Sequence, residues 1–153
     1  MNSHRIEVWY KKGIFDAGAE GVCSDITDLG IKGVRKVEVG SIFLIRGCVG
    51  ETALRKIARE LLLDPVTQRY WLGRRRKPAG AISVEVWFKE GVTDTVGETA
   101  LKGIKDLGLK GAEKVLTAKR YFLYGKGIGR KTAEIIAGRL LANEVIQTFA
   151  INF

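Results

Sequence analysis

Pairs of carboxylates recur along the chain, and paired carboxylates are among the residues best suited to general acid–base chemistry. The two members of each pair lie at one constant spacing, which for the first pair is 85 − 7 = 78 residues. The pairs include Glu7 and Glu85, Asp16 and Asp94, and Glu20 and Glu98. Because each pair is one sequence position seen twice, we interpret these carboxylates as structural and predict no catalytic residue among them.

Histidine and cysteine are too scarce to build a nucleophilic or metal-binding site. The chain has one histidine, His4, and two cysteines, Cys23 and Cys48, neither of which belongs to a CxxC motif. No zinc site and no Ser–His–Asp or Cys–His set can be assembled from these residues. We therefore predict a protein with no catalytic residues, no metal and no cofactor, and no enzymatic activity on its own.

The glycine-rich segment 125–132 follows a predicted strand and precedes a predicted helix, where phosphate-binding loops are found. Both common nucleotide-binding patterns fail, because Arg130 stands where each of them requires glycine. The segment also resembles the hairpin of helix-hairpin-helix DNA-binding proteins, in which amides and basic side chains grip phosphates. The matching loop at residues 47–53 has no basic residue, so we favour a plain turn and keep Arg130 and Lys131 as candidate anion contacts.

Basic residues outnumber acidic ones, and the net charge of +9 favours acidic partners such as nucleic acid, an anionic ligand or an acidic protein surface. The densest basic run is Arg74, Arg75, Arg76 and Lys77. Charge runs in linkers are usually solvated, so these four residues are candidate contacts for an anion or a partner and nothing more specific. A nucleic-acid-binding module that uses this run and the 125–132 loop is an alternative interpretation.

The constant spacing of the carboxylates belongs to a longer internal repeat. Residues 6–37 and 84–115 match at roughly half of their positions at this spacing. A repeat of about seventy residues is the size of a small domain rather than of a solenoid unit. We divide the chain into a first repeat at residues 1–72, a basic linker at 73–80 and a second repeat at 81–153.

Each repeat predicts an α+β fold. A short alternating strand comes first, followed by a helix with an aspartate at its start and a glycine after its end. The apolar stretch that follows is typical of a hairpin or a long bent strand pair, and a second helix and a final strand close the repeat. The order β-α-β-β-α-β is that of a ferredoxin-like unit, and we expect the two tandem units to form an intrachain pseudo-dimer.

The first strand of each repeat places a tryptophan on the sheet face that the helices leave bare. Alternation along this strand directs Ile6, Val8 and Tyr10 to the helices, and Glu7 and Trp9 to the opposite face. A tryptophan at this position in both repeats predicts a contact, either between the repeats or with a partner. The candidate interface residues are Trp9, Trp87, Tyr10 and Phe88.

Taken in order, these segments resemble the PurS family, the small subunit of phosphoribosylformylglycinamidine synthase. The resemblance lies in KKGIFD and KEGVTD after the first strands, in LG after the helices, in VRKV and AEKV, and in LLDPV and LANEVI near the ends of the repeats. None of these motifs is specific alone, whereas their order, repeated twice, is much more so. The tandem form is similar to the N-terminal region of large single-chain forms of the synthase.

The resemblance implies a non-catalytic assembly role in purine biosynthesis. The synthase converts formylglycinamide ribonucleotide, ATP and glutamine to the amidine, and PurS bridges its glutaminase and synthetase components. We thus expect these two components as partners, further self-association as an option, no nucleic acid and no membrane. Reduced thiols without a signal peptide or a long apolar run indicate a cytoplasmic protein. A ferredoxin-like regulatory domain that binds a small effector is a second alternative.

Overall fold

The computed structural model describes residues 2–153, in which six strands and four helices form an α+β fold, as predicted. The strands are β1 (Ser3–Tyr10), β2 (Val34–Gly47), β3 (Gln68–Leu72), β4 (Ile82–Phe88), β5 (Ala112–Gly125) and β6 (Gln147–Asn152). The helices are α1 (Ala17–Asp28), α2 (Glu51–Ile57), α3 (Thr95–Asp106) and α4 (Arg130–Ile136). The last turn of α2 and of α4 is π-helical, at Ala58–Leu62 and Ala137–Leu141. No helix within residues 2–153 is long and apolar enough to cross a membrane.

The predicted signals at the ends of α1 and α3 are confirmed. Asp16 accepts hydrogen bonds from the amides of Gly18 and Ala19, and Asp94 accepts one from Gly97, so each aspartate is an N-cap. Gly30 and Gly108 follow the C-caps with φ of 83° and 76°, a conformation that glycine adopts without strain.

Two local features differ from what the sequence indicates. Leu29 follows Val22 and Ile26 at helical spacing, which predicts a place on the buried face of α1. It is instead 43% exposed, because it forms the C-cap, where the helix has already ended. The stretch predicted as a hairpin or bent strand pair is a single strand of 14 residues in each repeat. Gly40 lies within β2 beneath a tryptophan ring, as described below, and does not begin a turn.

Hydrogen bonding places the strands in the order β3-β1-β2-β5-β4-β6. β1 is antiparallel to both of its neighbours, so that Trp9 pairs with Gly40 on β2 and with Arg69 on β3. β4 pairs with β6 in the equivalent register, with Trp87 opposite Thr148. β3 and β6 are the edge strands.

The chain forms two compact units, each of which contains segments of both repeats. The first unit comprises the described residues up to Ile14, together with Gly40–Arg75 and Thr93–Ala118. Its core joins side chains of β1 and α2 from the first repeat to Ala100 and Ile104 of α3 from the second. The buried set is Ile6, Val8, Phe43, Ile45, Val49, Leu54, Ile57, Ala58, Ala100, Ile104 and Val115.

The second unit has the reciprocal composition, with Phe15–Val39, Arg76–Val92 and Lys119–Phe153. Ile26 of α1, from the first repeat, is fully buried among side chains of β4, β5 and α4 from the second. The buried set is Ile26, Val37, Ile82, Val84, Val86, Leu123, Ala133, Ile136, Ala137, Leu141 and Ala142.

The two repeats therefore exchange their first helices, α1 and α3. Each unit holds its ferredoxin-like set of elements, but α3 completes the first unit and α1 completes the second. The division at residues 1–72, 73–80 and 81–153 thus describes the sequence repeats. Its bounds differ from those of the compact units, and as a division into domains it stays a prediction.

Candidate docking surface

A buried carboxylate organises the sheet face of the first unit that lies away from the helices. Glu7 is fully buried, and the guanidinium of Arg5 lies 2.8 Å from its Oε2. The indole Nε1 of Trp9 donates to Oε1 of Glu7 at 3.0 Å. This alternation, with Ile6 and Val8 in the helical core, is the one predicted from the sequence. A buried charge is tolerated when it is paired and hydrogen-bonded, as Glu7 is.

The basic linker contributes to the same face through Arg75. Its backbone amide donates to Oε2 of Glu7 at 3.2 Å. Its guanidinium lies 4.7 Å from the ring centroid of Trp9 and 4.5 Å from that of Trp71, and Arg69 lies 4.4 Å from the Trp71 ring. Cation–π contacts of this kind are worth about 0.5–2 kcal/mol each. Arg75 therefore belongs to the packing of the first unit.

In the second unit the equivalent glutamate, Glu85, is paired with an arginine from a different strand. Trp87 Nε1 donates to Glu85 at 3.1 Å, as Trp9 does to Glu7. Ser83 stands where the first repeat has Arg5, and Arg120 on β5 supplies the cation instead. Arg120 Nε lies 3.7 Å from Glu85 and donates to the Ser83 hydroxyl at 3.0 Å. In the first repeat the position of Arg120 is taken by Ile42, which pairs with Glu7 across β1 and β2.

The four aromatic interface candidates differ widely in exposure. Trp9 is only 1% exposed, because Gly40 lies beneath its ring and Arg75 lies over it. Trp87 and Phe88 are half-buried, and Tyr10 at the end of β1 is exposed. Contact of these side chains with a partner stays a prediction. Of the four, Tyr10, Trp87 and Phe88 have solvent-exposed side-chain area that could contact a partner.

The other basic candidates lie in two separate segments. In the linker, Arg74 and Arg76 are exposed, and the ammonium group of Lys77 donates to the carbonyl of Ala81 at 2.6 Å. In the glycine-rich loop, Arg130 and Lys131 are exposed. Arg75 is only partly exposed, since its guanidinium contacts the indole rings of Trp9 and Trp71.

The glycine-rich loop makes a close backbone approach to its own unit. The amide of Lys126 donates to the carbonyl of Gly33 at 3.1 Å, and a side chain at Gly125 would clash with that carbonyl. Arg130 lies 5.0 Å from the ring of Phe153. These contacts give the loop a packing role at the start of α4, as a turn into a helix requires.

Of the groups considered for chemistry, His4 contacts the carbonyl of Gly47 at 3.1 Å and so lies near Cys48, the next residue. Cys23 and Cys48 are both free thiols. Asp16 and Asp94 cap helices, as described above. Within residues 2–153 no three metal-ligating side chains form a cluster.

Arg55 and Tyr121 are among the groups whose pKa values are shifted. A hydrogen bond from Arg55 to the Tyr70 hydroxyl raises the pKa of the guanidinium, and Glu51 acts in the same direction. Burial raises the pKa of the Tyr121 hydroxyl above its usual 10.0. Neither group belongs to a constellation that could transfer a proton to a substrate.

Sequence reasoning missed the pairing partners of the two buried glutamates. The signal was present, because aligning the repeats shows Arg5 against Ser83 and Ile42 against Arg120. The first repeat has its arginine at one of these positions and the second repeat has it at the other. This exchange indicates that both repeats contain an acidic residue that needs a basic partner. The stacking of Arg75 has no counterpart in the second repeat, so no comparison of repeats could have revealed it.

Comparison with known proteins matches the two repeats separately. Residues 3–73 and 81–153 each match the family described as PurS, phosphoribosylformylglycinamidine (FGAM) synthase. The chain is also similar to the phosphoribosylformylglycinamidine synthase subunit PurS of Archaeoglobus fulgidus, with 39% identity over 72 residues. This match covers 44% of the chain and 90% of that subunit, so one relative corresponds to about one repeat.

Proposed function

The chain belongs to the PurS family, and from this membership we propose that it joins the glutaminase and synthetase components of phosphoribosylformylglycinamidine synthase. Membership gives it a role in the synthase complex. In the proposed role the chain performs no chemistry, and its partners carry out the glutamine- and ATP-dependent conversion of formylglycinamide ribonucleotide to the amidine.

One observation carries the proposal. Two family-length repeats lie in one chain, and each compact unit needs segments of both. A covalently linked pair of this kind offers two related surfaces at a fixed ratio, which suits a component that must hold two different proteins. Divergence between the repeats, such as Tyr10 against Phe88, would let each surface suit its own partner.

Charge supports recognition of acidic partner surfaces. The chain carries +9, and charge of one sign accelerates encounter with the opposite sign and fixes orientation more than it adds affinity. Arg74 and Arg76 are exposed beside the anchored Arg75. We therefore place the electrostatic contribution at the linker and the apolar contribution at Tyr10, Trp87 and Phe88.

Co-purification tests the proposal. The untagged chain is co-expressed with the glutaminase and a tagged synthetase component, and we expect both untagged proteins to be retained. The double variant Tyr10→Ala/Phe88→Ala should reduce retention, whereas Ile135→Ala, at a residue of α4 that is 45% exposed, should not. If the wild-type chain is well folded but binds neither the glutaminase nor the synthetase component, the assembly role is wrong.

The nucleic-acid alternative gains little support from the aromatic residues. Single strands are bound by stacking bases on aromatic faces beside basic grooves. Two guanidinium groups already lie against the ring of Trp71, and Trp9 is buried. Binding of a labelled oligonucleotide that weakens steeply with salt, without retention by synthase components, would favour this alternative.

The effector-binding alternative would need a pocket, and the first unit has an apolar one of about 340 Å³. Its walls include Phe43, Leu61 and Val96, and no charged side chain lines it. An amino acid or nucleotide would lack a partner for its charges in this pocket. A second pocket of the first unit, of about 430 Å³, is lined by His4, Arg5 and Glu51 and could supply such partners. A thermal shift with either class of ligand would favour this alternative over assembly.

A further inference from the structure

The edge strand β6 lacks the charged side chains and the proline that often protect a sheet edge. It pairs with β4 on one side and ends the strand order on the other. Its six residues, QTFAIN, contain no charge and no proline. Natural proteins usually place charged side chains, proline or bulges on such edges, because free amides and carbonyls invite pairing with another chain.

The other edge strand, β3, carries a charged side chain of the kind that protects a sheet edge. Arg69 on β3 stacks against Trp71, and Arg55 donates to the Tyr70 hydroxyl. The equivalent residues on β6 are Thr148 for Arg69, Phe149 for Tyr70 and Ala150 for Trp71. The edge strand of the second repeat is thus neutral where that of the first repeat carries an arginine.

The register identifies the backbone groups that β6 leaves open. Lys89 donates to the carbonyl of Ile146, and hydrogen bonding alternates along an antiparallel pair. Thr148, Ala150 and Asn152 therefore direct their backbone groups to β4. The amides and carbonyls of Gln147, Phe149 and Ile151 point to the open side.

We propose that β6 is a self-association edge, at which β6 of a second copy of this chain pairs antiparallel about a twofold axis at Phe149. In this register Phe149 pairs with its own copy and Gln147 with Ile151, so all three open residues are satisfied on both chains. No like charges face each other, because the strand carries none.

Protection of β3 explains why pairing would stop at two copies. A contact between β6 of one chain and β3 of another would be heterologous and could extend into a filament. Arg55 and Arg69 disfavour that contact, whereas β6 with β6 closes on itself. The proposal rests on the register and composition of β6 alone, so it does not depend on the assembly role.

Salt provides a signature that separates a second copy from other occupants. Two chains of +9 repel each other, so pairing through a neutral strand should strengthen as salt screens the charge. An acidic strand from a synthase component would show the opposite dependence. The occupant is thus identified by the sign of the salt effect.

Sedimentation equilibrium of the full chain at low and high salt tests the proposal. The wild type should shift with concentration from 16.9 kDa towards twice that mass, more strongly at high salt. Thr148→Arg/Ala150→Arg places like charges opposite each other across the pairing and should abolish the shift. Ser24→Arg/Thr27→Arg adds the same charge at exposed positions of α1 and should retain it.

Amide hydrogen exchange locates the contact. The amides of Phe149 and Ile151 should exchange more slowly as protein concentration rises, and the amide of Tyr70 on β3 should not change. A wild type that stays at 16.9 kDa up to its solubility limit in high salt would overturn the proposal. So would dimerisation of the β6 variant, or protection of these amides only after a synthase component is added.

Discussion

The indole of Trp9 lies against the backbone of Gly40, its partner across β1 and β2. A β-carbon on Gly40 would lie 2.2 Å from Cε2 of the ring, which no packed side chain tolerates. In the second repeat Ala118 stands at the position of Gly40, and Trp87 is half-buried rather than buried. The absence of one methyl group thus accompanies the burial of one of two equivalent tryptophans.

Gly40→Ala should therefore destabilise the protein by about 1–3 kcal/mol, the usual cost of overpacking a filled site. Urea denaturation measures the loss, and tryptophan fluorescence should shift to the red as Trp9 becomes hydrated. Gly21→Ala is the matched control, because Gly21 lies inside α1 with open space around it. It should stabilise by about 0.5–1 kcal/mol, and equal effects of the two substitutions would contradict this explanation.

Arg5→Ser should cost about 2 kcal/mol, since it removes a charged hydrogen bond to the buried carboxylate of Glu7. Glu51→Gln breaks the exposed ion pair with Arg55, at 3.7 Å, and should change stability by less than about 0.5 kcal/mol. Denaturation curves of the two variants provide the comparison. Similar losses in both would mean that burial of Glu7 has no energetic consequence.

Asp94 and Asp16 occupy one position in the two repeats but should differ in importance. Asp16→Ala removes an N-cap and should cost about 1 kcal/mol. Asp94 also accepts from the amide and hydroxyl of Thr117, at 2.6 and 2.8 Å. Asp94→Ala should cost about 2–4 kcal/mol, because these donors on β5 lose their acceptor as well.

Thr117→Val separates the two contributions of Asp94. It removes the hydroxyl donor and leaves the amide, and Val39 already occupies the equivalent position of the first repeat. Its loss of thermal stability should fall between those of Asp16→Ala and Asp94→Ala. If Asp16→Ala and Asp94→Ala lowered thermal stability equally, the contact of Asp94 with Thr117 would not contribute to stability.

Cleavage of the linker should not separate the two repeats. A protease site inserted between Ala79 and Gly80, both exposed, permits a cut after folding. Because Ile104 shares a core with Ile6 and Ile57, the fragments should elute together in gel filtration and separate only in denaturant. Fragments that separate in native buffer and keep their circular dichroism would contradict helix exchange.

Local features of the fold were predictable from the sequence, whereas the exchange of α1 and α3 was not. Capping by Asp16, and the alternation of Ile6 and Val8 with Glu7 and Trp9, depend on neighbouring residues alone. Periodicity shows that α1 has an apolar face around Ile26, but it does not show which core receives that face. Two similar repeats offer two similar cores, so the choice between them depends on tertiary geometry.

The candidate surface was predictable to a smaller degree. Alternation along the strand predicted the sheet face on which Trp9 lies, but the burial of Trp9 depends on Gly40 and on Arg75, from a linker that composition alone predicts to be solvated. Contacts between a linker and a sheet have no local signal in the sequence.

Reconstitution of glutamine-dependent amidine formation tests the central claim most directly. The purified glutaminase and synthetase components are assayed with formylglycinamide ribonucleotide, ATP and glutamine, with and without this chain. We predict that glutamine-dependent turnover requires the chain, and that the chain alone turns over none of these substrates. Full glutamine-dependent turnover by the two other components without it, or turnover by the isolated chain, would contradict the account.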